Sequence, residues 1–253
     1  MRAPCPVAGG RLDLARAASR RRVVRPMPAR YGWQAVGIAA LAAFGSCGPP
    51  PPAPVAGAIV WSVDSLDAIG GHPVVVLGAP RVVDTADGRA VEFDGLDDGL
   101  ELPLHPLAGA GSFTVEAVFR PDPGGEREQR FLHLQEDASE DRILLETRLP
   151  RHGGSWFLDS YVKSQGVGHT LFAKDHEHPL GSWYHVALVV DGTEMRHYVD
   201  GRLELRRPIG FRPQGVGRSS IGVRINRVSW FKGAIRLLRF TPQALEPGDF
   251  LRH

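Results

Sequence analysis

Three aspartates that stand close together in the chain, Asp94, Asp97 and Asp98, offer the ligand chemistry of a metal site. Ca²⁺ takes about six to eight oxygen ligands, and a turn rich in carboxylates supplies several of them. The same residues also suit a structural turn, because an Asp before a glycine accepts backbone N–H groups. The sequence therefore predicts either a calcium site or an Asx turn here, and Ca²⁺ is the candidate cofactor.

Aromatic and basic side chains offer a second chemistry, the binding of sugars. A flat ring packs against the CH groups of a pyranose, and arginine makes paired hydrogen bonds to carboxylate or sulfate groups. In the alternating run from Ser155 to Val162, Tyr161 lies on the face opposite to Trp156. The candidate ligand-binding residues are Tyr161, Trp230, Arg202, Arg206, Arg224 and Arg227.

The charge of the chain is distributed unevenly. Residues 196–239 hold 11 Lys and Arg against two acids, whereas residues 84–146 hold 16 Asp and Glu against five bases. A basic surface would suit an anionic glycan that carries sulfate or uronic acid groups. Alternatively, the two segments lie on neighbouring strands and neutralise one another. Both interpretations stay open at this point.

The basic residues at the beginning of the chain have to be counted separately from those of the rest of the chain. Eight of the 30 Lys and Arg precede residue 31, and from Cys47 onward 22 Lys and Arg face 27 Asp and Glu. The formal net charge of +2 therefore reflects the first residues and not the body of the chain. The body of the chain therefore lacks the excess of positive charge that is typical of nucleic-acid-binding proteins, and we predict no nucleic-acid partner.

Residues 1–46 are organised as a leader and signal peptide. A basic segment precedes a mostly apolar run of 14 residues, 31–44, which is too short to cross a bilayer core of roughly 30 Å. The Phe-Gly-Ser-Cys segment that ends at Cys47 resembles a bacterial lipobox, which implies cleavage before Cys47 and attachment of lipid to its sulfur. The export route stays open, because residues 19–24 resemble a twin-arginine motif that a start at Met27 would remove.

The sequence thus predicts an exported, membrane-anchored lipoprotein, either periplasmic or at the cell surface, that contacts the membrane through its lipid alone. A plain secretory signal is the alternative. Residues 47–57 are predicted as the lipidated cysteine and a stiff Pro-rich stalk. Residues 58–253 are predicted as one domain.

That domain is predicted to consist of strands. Apolar and polar residues alternate in segments 113–120, 155–162 and 183–190, as in strands with one buried face. Asp191-Gly192 and Asp200-Gly201 predict tight hairpins, because Asp-Gly supplies the positive φ angles that such turns need. His185 lies within a strand that is apolar on both faces, so we predict a structural, hydrogen-bonded histidine.

Four segments in this order resemble laminin-G-like and concanavalin A-like jelly-roll domains: 90–103, 113–117, 183–201 and 231–245. The resemblance covers about residues 58–252. It implies an all-β fold in which two antiparallel sheets pack as a β-sandwich of the jelly-roll type.

The function predicted from this resemblance is a non-catalytic, lectin-like module that binds a polysaccharide or a cell-surface glycan. Adhesion to a protein partner, or a structural role in the envelope, is the alternative. Enzymes also use this architecture, but the compact carboxylate motif of one glucanase family is absent. A polysaccharide lyase is the remaining catalytic alternative, since Tyr161, His133 and segment 142–149 faintly resemble alginate lyases.

Overall fold

Alternating apolar residues form the strands of this protein, as the sequence predicts. The computed structural model describes residues 55–252, which contain eighteen strands and one short 3₁₀ helix. The strands in chain order are β1 Ile59–Ser62, β2 Ala68–Ile69, β3 His72–Pro73, β4 Val75–Leu77, β5 Arg81–Thr85, β6 Gly88–Asp94, β7 Gly99–Leu102, β8 Phe113–Pro121, β9 Glu128–Glu136, β10 Arg142–Arg148, β11 Ser155–Ser164, β12 Val167–Phe172, β13 His178–Pro179, β14 Tyr184–Val190, β15 Glu194–Val199, β16 Arg202–Pro208, β17 Gly217–Ile221 and β18 Lys232–Thr241. The 3₁₀ helix is Pro247–Asp249.

Most of these strands belong to two large antiparallel sheets. The first sheet has the order β16, β15, β14, β8, β18, β6 and β5, with β1 also paired to β18. The second sheet has the order β12, β11, β10, β9, β17, β7 and β4, with β13 also paired to β11. β2 and β3 form a separate small hairpin. The predicted two-sheet sandwich is therefore confirmed.

The two Asp-Gly pairs form the predicted hairpins. Asp200 and Gly201 have φ angles of 48° and 73° and connect β15 to β16. A two-residue turn of type I′ requires positive φ at both central residues, which Asp and Gly tolerate better than most other residues. Gly192, with a φ of 99°, lies in the turn between β14 and β15. Turn chemistry thus fixes the order of three neighbouring strands.

The main core lies between the two sheets and is rich in aromatic rings. Phe119 of the first sheet and Phe131 of the second stack with ring centroids 4.4 Å apart, and both are fully buried. Trp156 packs edge-on against Phe119 at 5.2 Å. Burial of a large aromatic side chain removes about 150–250 Å² from water and dominates core energetics. The sheets are therefore held together by apolar packing across the sandwich.

The outer faces of the two sheets differ in what covers them. On the first sheet, Tyr198 packs with Leu245 and Phe250 of the C-terminal segment in a second apolar cluster. His185 lies on the same side, where its Nε2 is 2.9 Å from Oε1 of Glu116, as predicted for a structural histidine. Neither hydrophobic cluster of the described residues covers the outer face of the second sheet. That face is the one left open to a ligand.

The predicted leader, the lipid attachment at Cys47 and residues 48–54 of the stalk lie outside the described residues and stay predictions. Within residues 55–252, no helix is long and apolar enough to span a membrane.

Candidate functional site

One row of side chains crosses the entire outer face of the second sheet. Strand pairing places its members side by side, although they come from distant parts of the chain. In order across the sheet they are Val75, Glu101, Ser220, His133, Leu144, Tyr161 and Thr170. Neighbouring strands lie about 4.8 Å apart, so the row spans roughly 30 Å. The face is long enough to contact several units of an extended chain.

The segment between β17 and β18, residues 222–231, folds over this face and is called the crossing loop. The backbone N–H of Ile225 donates to Nδ1 of His133 at 3.0 Å, and Nη1 of Arg130 donates to Oγ of Ser229 at 2.7 Å. Ser229 has a positive φ of 60°, which is uncommon for a residue other than glycine and recurs at functional sites. Further contacts hold the loop, among them the hydrogen bond from the N–H of Arg130 to the carbonyl of Ser229 at 2.9 Å. The loop is thus fixed at several points along its length where it crosses the sheet.

Two adjoining cavities on one side of the crossing loop form a cleft over β9, β10, β11 and β12. Their volumes are about 360 and 260 Å³, and Arg142 and Arg224 line both of them. On the other side, a groove of about 710 Å³ runs over β4, β7 and β17 past the exposed Val75. The cleft holds the charged and aromatic side chains and is therefore the candidate functional site.

A network of buried charges forms one end of the floor of the cleft. Glu146 and Asp159 are direct cross-strand partners on β10 and β11. Nη2 of Arg148 lies 3.0 Å from Oε2 of Glu146 and 2.8 Å from Oδ2 of Asp159, and Nε of Arg130 lies 3.2 Å from Oε1 of Glu146. These contacts hold both carboxyl groups in place.

The two carboxyl groups do not titrate normally. Burial, together with the negative charge of Asp159, raises the pKa of Glu146 to about 7 despite the nearby Arg130 and Arg148. Burial also raises the pKa of Asp159. Glu146 is therefore partly protonated at neutral pH, which lowers the negative charge of the floor.

Tyr161 provides an aromatic surface in the cleft. Its ring is half-buried, and the guanidinium carbon of Arg142 lies 5.1 Å from the ring centroid. A Cβ atom at residue 168 would lie 2.5 Å from the Tyr161 hydroxyl, so the glycine at that position of β12 gives the ring the space to lie flat. The ring is thus positioned by its neighbours on β10 and β12.

His133 contributes a hydrogen-bond donor at the centre of the row. Its Nδ1 accepts the N–H of Ile225, so the proton of the neutral ring is on Nε2. Burial, and then the positive charges of Arg224 and Arg142, lowers the pKa of His133 to about 3. Nε2 is buried and has no hydrogen-bond partner within residues 55–252. The side chain is therefore a neutral donor without an acceptor.

The other predicted binding residues are divided between the two sheets. Arg224 lines the cleft, as does Tyr161. Arg227 and Trp230 lie in the crossing loop but line neither cavity of the cleft. Arg202 and Arg206 lie on β16, the edge strand of the first sheet. The structure does not gather these four arginines at one site.

Several ion pairs connect the acidic and basic segments of the chain. Nε of Arg227 lies 3.2 Å from Oε1 of Glu101, and Arg239 forms a buried ion pair with Glu116. Part of the positive charge of residues 196–239 is therefore neutralised by residues 84–146, as the alternative interpretation predicts. Arg224 is not among these pairs.

The aspartate turn combines features of both predicted roles. Oδ1 of Asp94 accepts the N–H groups of Leu96 and Asp97, which is an Asx turn. Asp98 is buried and accepts the N–H of Ala79 at 2.7 Å and that of Asp94 at 3.0 Å. Oxygens of Asp94, Asp97 and Asp98 also lie within 4.8 Å of one another. This separation fits a shared Ca²⁺ whose remaining ligands are carbonyl or water oxygens.

Some residues of the cleft were not predicted as binding residues. Arg142, Glu146 and Arg148 occupy alternate positions on β10, so period-two patterning could have placed them on one face. Arg130 could not be placed in this way, because the β9–β10 register shifts between Leu145 and Glu146. Sequence reasoning considered His133 only for the lyase alternative.

Comparison with known proteins identifies relatives by fold. The model of the laminin G type within the concanavalin A-like lectin/glucanases superfamily matches residues 93–249, more than half of the chain. No match was found among curated proteins.

Solved structures with the same fold include domains with bound carbohydrate. Domain 4 of AbnA, an extracellular arabinanase of Geobacillus stearothermophilus in complex with arabinotriose, is 20% identical, with a TM-score of 0.56 over 76% of this chain and 94% of that one. The binding domain of Paraclostridial Mosquitocidal Protein 1 is 13% identical, with a TM-score of 0.59 over 76% of this chain and 50% of that one. The binding domain of Botulinum Neurotoxin DC, in complex with SialylT, is 10% identical, with a TM-score of 0.55 over 77% of this chain and 50% of that one. The chain thus spans about half the length of the two toxin chains, and at these identities the likeness shows the fold alone.

Proposed function

The chain belongs to the concanavalin A-like lectin/glucanase superfamily, and from this premise we propose that it is a glycan-binding module whose ligand lies in the cleft. The single observation that carries the proposal is an open cleft, over four strands, that places the Tyr161 ring beside Arg142 and Arg224. An aromatic face and a few fixed polar groups are the usual components of a small-ligand site. The carbohydrate-bound relatives support the same kind of ligand.

The cleft also has features of a site prepared in advance. Arg130 and Arg148 are held by buried carboxylates, and Tyr161 is supported by Arg142. Side chains fixed before binding lose little conformational freedom when a ligand arrives, so more of the contact energy appears as affinity.

We expect the full chain to bind specific glycans on an array, and Tyr161→Ala to weaken the best of them about tenfold or more. Truncating an aromatic side chain at the centre of an interface commonly costs about 1.4 kcal/mol or more. Titration calorimetry of the variant with the array hit measures the change.

Trp230→Ala is the matched comparison, because Trp230 is the other aromatic candidate and lies outside the cleft. If Trp230→Ala weakens binding and Tyr161→Ala does not, the ligand lies on the crossing loop, and the proposed location of the ligand in the cleft is wrong. An array without specific hits would contradict glycan binding itself and favour the protein-adhesion alternative.

A glycoside hydrolase is the second candidate, favoured by Glu146 and Asp159. Retaining hydrolases use two carboxyl groups about 5 Å apart, one with a raised pKa, and both pKa values are raised here. However, Arg148 binds both groups and leaves them almost fully buried. Binding without cleavage is therefore the preferred proposal, and release of new reducing ends from a bound glycan would favour the hydrolase.

The aspartate turn is proposed as a calcium site. If Ca²⁺ binds, a hundredfold excess over Kd adds about 2.7 kcal/mol of stability, and the melting temperature should rise by several degrees between chelator and millimolar calcium. Asp97→Ala should abolish this rise, since it removes one carboxylate ligand while Asp94 and Asp98 keep their backbone hydrogen bonds. Identical melting curves with chelator and with calcium would exclude the site.

Export and lipid attachment at Cys47 complete the proposal. A Pro-rich stalk would hold the cleft away from the membrane, where it could reach an extracellular or periplasmic glycan. Incorporation of labelled fatty acid into the wild-type protein, but not into Cys47→Ala, is the measurement that tests this anchor.

A further inference from the structure

The smaller cavity of the cleft, of about 260 Å³, carries an excess of positive charge. It is lined by Arg142, Arg218 and Arg224 against a single acid, Glu140. Nζ of Lys163 lies 3.0 Å from Oε2 of Glu140, so the charge of this acid is already matched by a residue outside the cavity. Nε of Arg218 lies 4.0 Å from Oδ1 of Asp137, which is also outside the cavity. The unmatched positive charge therefore comes from Arg142 and Arg224, which line the cavity and form no ion pair among the described residues.

The surroundings of Arg224 also contain an excess of positive charge. Burial, and then the positive charges of Arg142 and Arg130, lowers the pKa of Arg224. Nε of Arg142 is buried and has no hydrogen-bond partner among residues 55–252. An anion in the cavity would relieve the repulsion between the guanidinium groups and accept this hydrogen bond.

His133 adds a donor that is independent of these charges. It is 1% exposed, it lines the cavity, and its Nε2–H has no acceptor within the described part of the chain. A buried donor without a partner costs about 1–3 kcal/mol, and a ligand oxygen would recover this energy. The crossing loop maintains the arrangement, because the N–H of Ile225 fixes the tautomer of the ring.

Tyr161 lies next to this cavity. Arg142 lines both parts of the cleft and packs on the Tyr161 ring. Tyr161 and His133 are both register partners of Leu144, so they lie two strand spacings apart, roughly 10 Å. A sugar ring stacked on Tyr161 would therefore carry the acidic group of the same unit or of the next one into the arginine cavity.

We propose that this cavity binds the carboxylate of a uronic acid, so that the ligand of the cleft is a uronate-containing polysaccharide. The inference rests on the proposed glycan-binding function and adds the chemical class of the ligand. A planar carboxylate accepts paired hydrogen bonds from one guanidinium and a further bond from the Nε2–H of His133. A sulfate group can accept the same paired hydrogen bonds, so the test includes a sulfated probe that distinguishes the two anions.

The test compares three probes by calorimetry with the full chain: oligogalacturonate, the same oligosaccharide after chemical reduction of its carboxyl groups, and a sulfated oligosaccharide. We expect oligogalacturonate to bind at least about tenfold more tightly than its neutral counterpart, and Arg224→Gln to remove this preference. Arg202→Gln is the matched control, since it makes the same charge change on β16 and should leave the preference intact. Melting temperatures confirm that both variants are folded, and neither arginine is deeply buried.

The outcomes separate the two proposals. Equal binding of the acidic and reduced oligosaccharides, or an unchanged preference in Arg224→Gln, overturns the carboxylate cavity while glycan binding stands. Stronger binding of the sulfated probe overturns the assignment of a carboxylate. If neither these probes nor any glycan on the array binds, the proposed function itself fails.

Discussion

Between pH 7 and pH 4, the free energy of unfolding of the variant His197→Gln is expected to fall by about 3 kcal/mol less than that of the wild-type protein. His197 is fully buried on β15, and its Nδ1 is 3.0 Å from Oγ of Ser160 on the opposite sheet. Burial lowers the pKa of His197 to about 3, and Glu204, 3.7 Å from its Nε2, does not offset this effect. The folded protein therefore keeps this ring neutral well below the ordinary pKa of histidine.

The sign follows from proton linkage. Between pH 6.5 and 3 the unfolded chain binds a proton at His197 and the folded protein does not, so acid favours unfolding by about 1.4 kcal/mol per pH unit. Glutamine is neutral in both states, so the variant lacks the contribution of His197 to the pH dependence of unfolding. His133, whose pKa is also about 3, contributes a second term of the same sign.

Glu146 opposes the two histidines over part of this range. Its pKa in the folded protein is about 7, above the value of 4.5 for an unperturbed side chain. The folded state therefore holds this proton more tightly, which adds stability as the pH falls from 7 to 4.5 and is lost as the pH rises again. Glu146 offsets one of the two histidine contributions between pH 6.5 and 4.5, so the wild-type protein should lose stability less steeply above pH 4.5 than below it.

Urea unfolding at a series of pH values measures both slopes. His152→Gln serves as the control, because its side chain is 64% exposed and interacts with Glu177 at the surface. The hydrogen bond to the Gly153 carbonyl and the contact with Glu177 raise the pKa of His152. The control should therefore lose slightly more stability in acid than the wild type, which is the opposite of the change expected for His197→Gln. Parallel curves for His197→Gln and the wild-type protein would show that His197 is not responsible for acid sensitivity.

The fold could be predicted because its strands and turns follow from local sequence patterns. The alternation in β8, β11 and β14 and the Asp-Gly turns between β14, β15 and β16 each depend on a few consecutive residues. Trp156 faces the core and Tyr161 the opposite side of β11, as the period of two requires. Such local rules are sufficient for the elements and for the face that each residue occupies.

The cleft depends on long-range pairing that these rules do not contain. His133, Leu144 and Ser220 become neighbours only through the register of β9 with β10 and β17, and the crossing loop is fixed by single hydrogen bonds such as Ile225 to His133. A shift by one residue would turn every side chain of a strand to the other face. The two interpretations of the basic segment stayed open for the same reason, since sequence distance does not show that β16 and β17 belong to different sheets.

Replacing Glu116 should cause a large loss of stability. Glu116 is fully buried on β8, where it accepts hydrogen bonds from Nε of Arg239 and, at 2.7 Å, from the N–H of Leu251. Its Oε1 is also 2.9 Å from Nε2 of His185. Burial alone would raise the pKa of Glu116, but the hydrogen bonds from His185, Arg239 and Leu251 outweigh it and hold the pKa below its usual value.

Glu116→Ala is therefore expected to lower the free energy of unfolding by about 3–5 kcal/mol, because it leaves the guanidinium of Arg239 buried without its counter-charge. The double variant Glu116→Leu with Arg239→Met removes both charges and should recover much of this loss, since an apolar pair of similar volume needs no desolvated ion.

Glu92→Ala is the control: its partners Arg81 and Arg120 are more exposed, and an exposed ion pair contributes at most about 1 kcal/mol. Urea unfolding of the four proteins completes the comparison, and a loss below about 1 kcal/mol in Glu116→Ala would mean that Arg239 reaches water or another acceptor. In that case the C-terminal segment that covers Arg239, whose Nη2 donates to the carbonyl of Asp249 at 2.7 Å, would be held to the sheet by its apolar contacts and not by this buried pair.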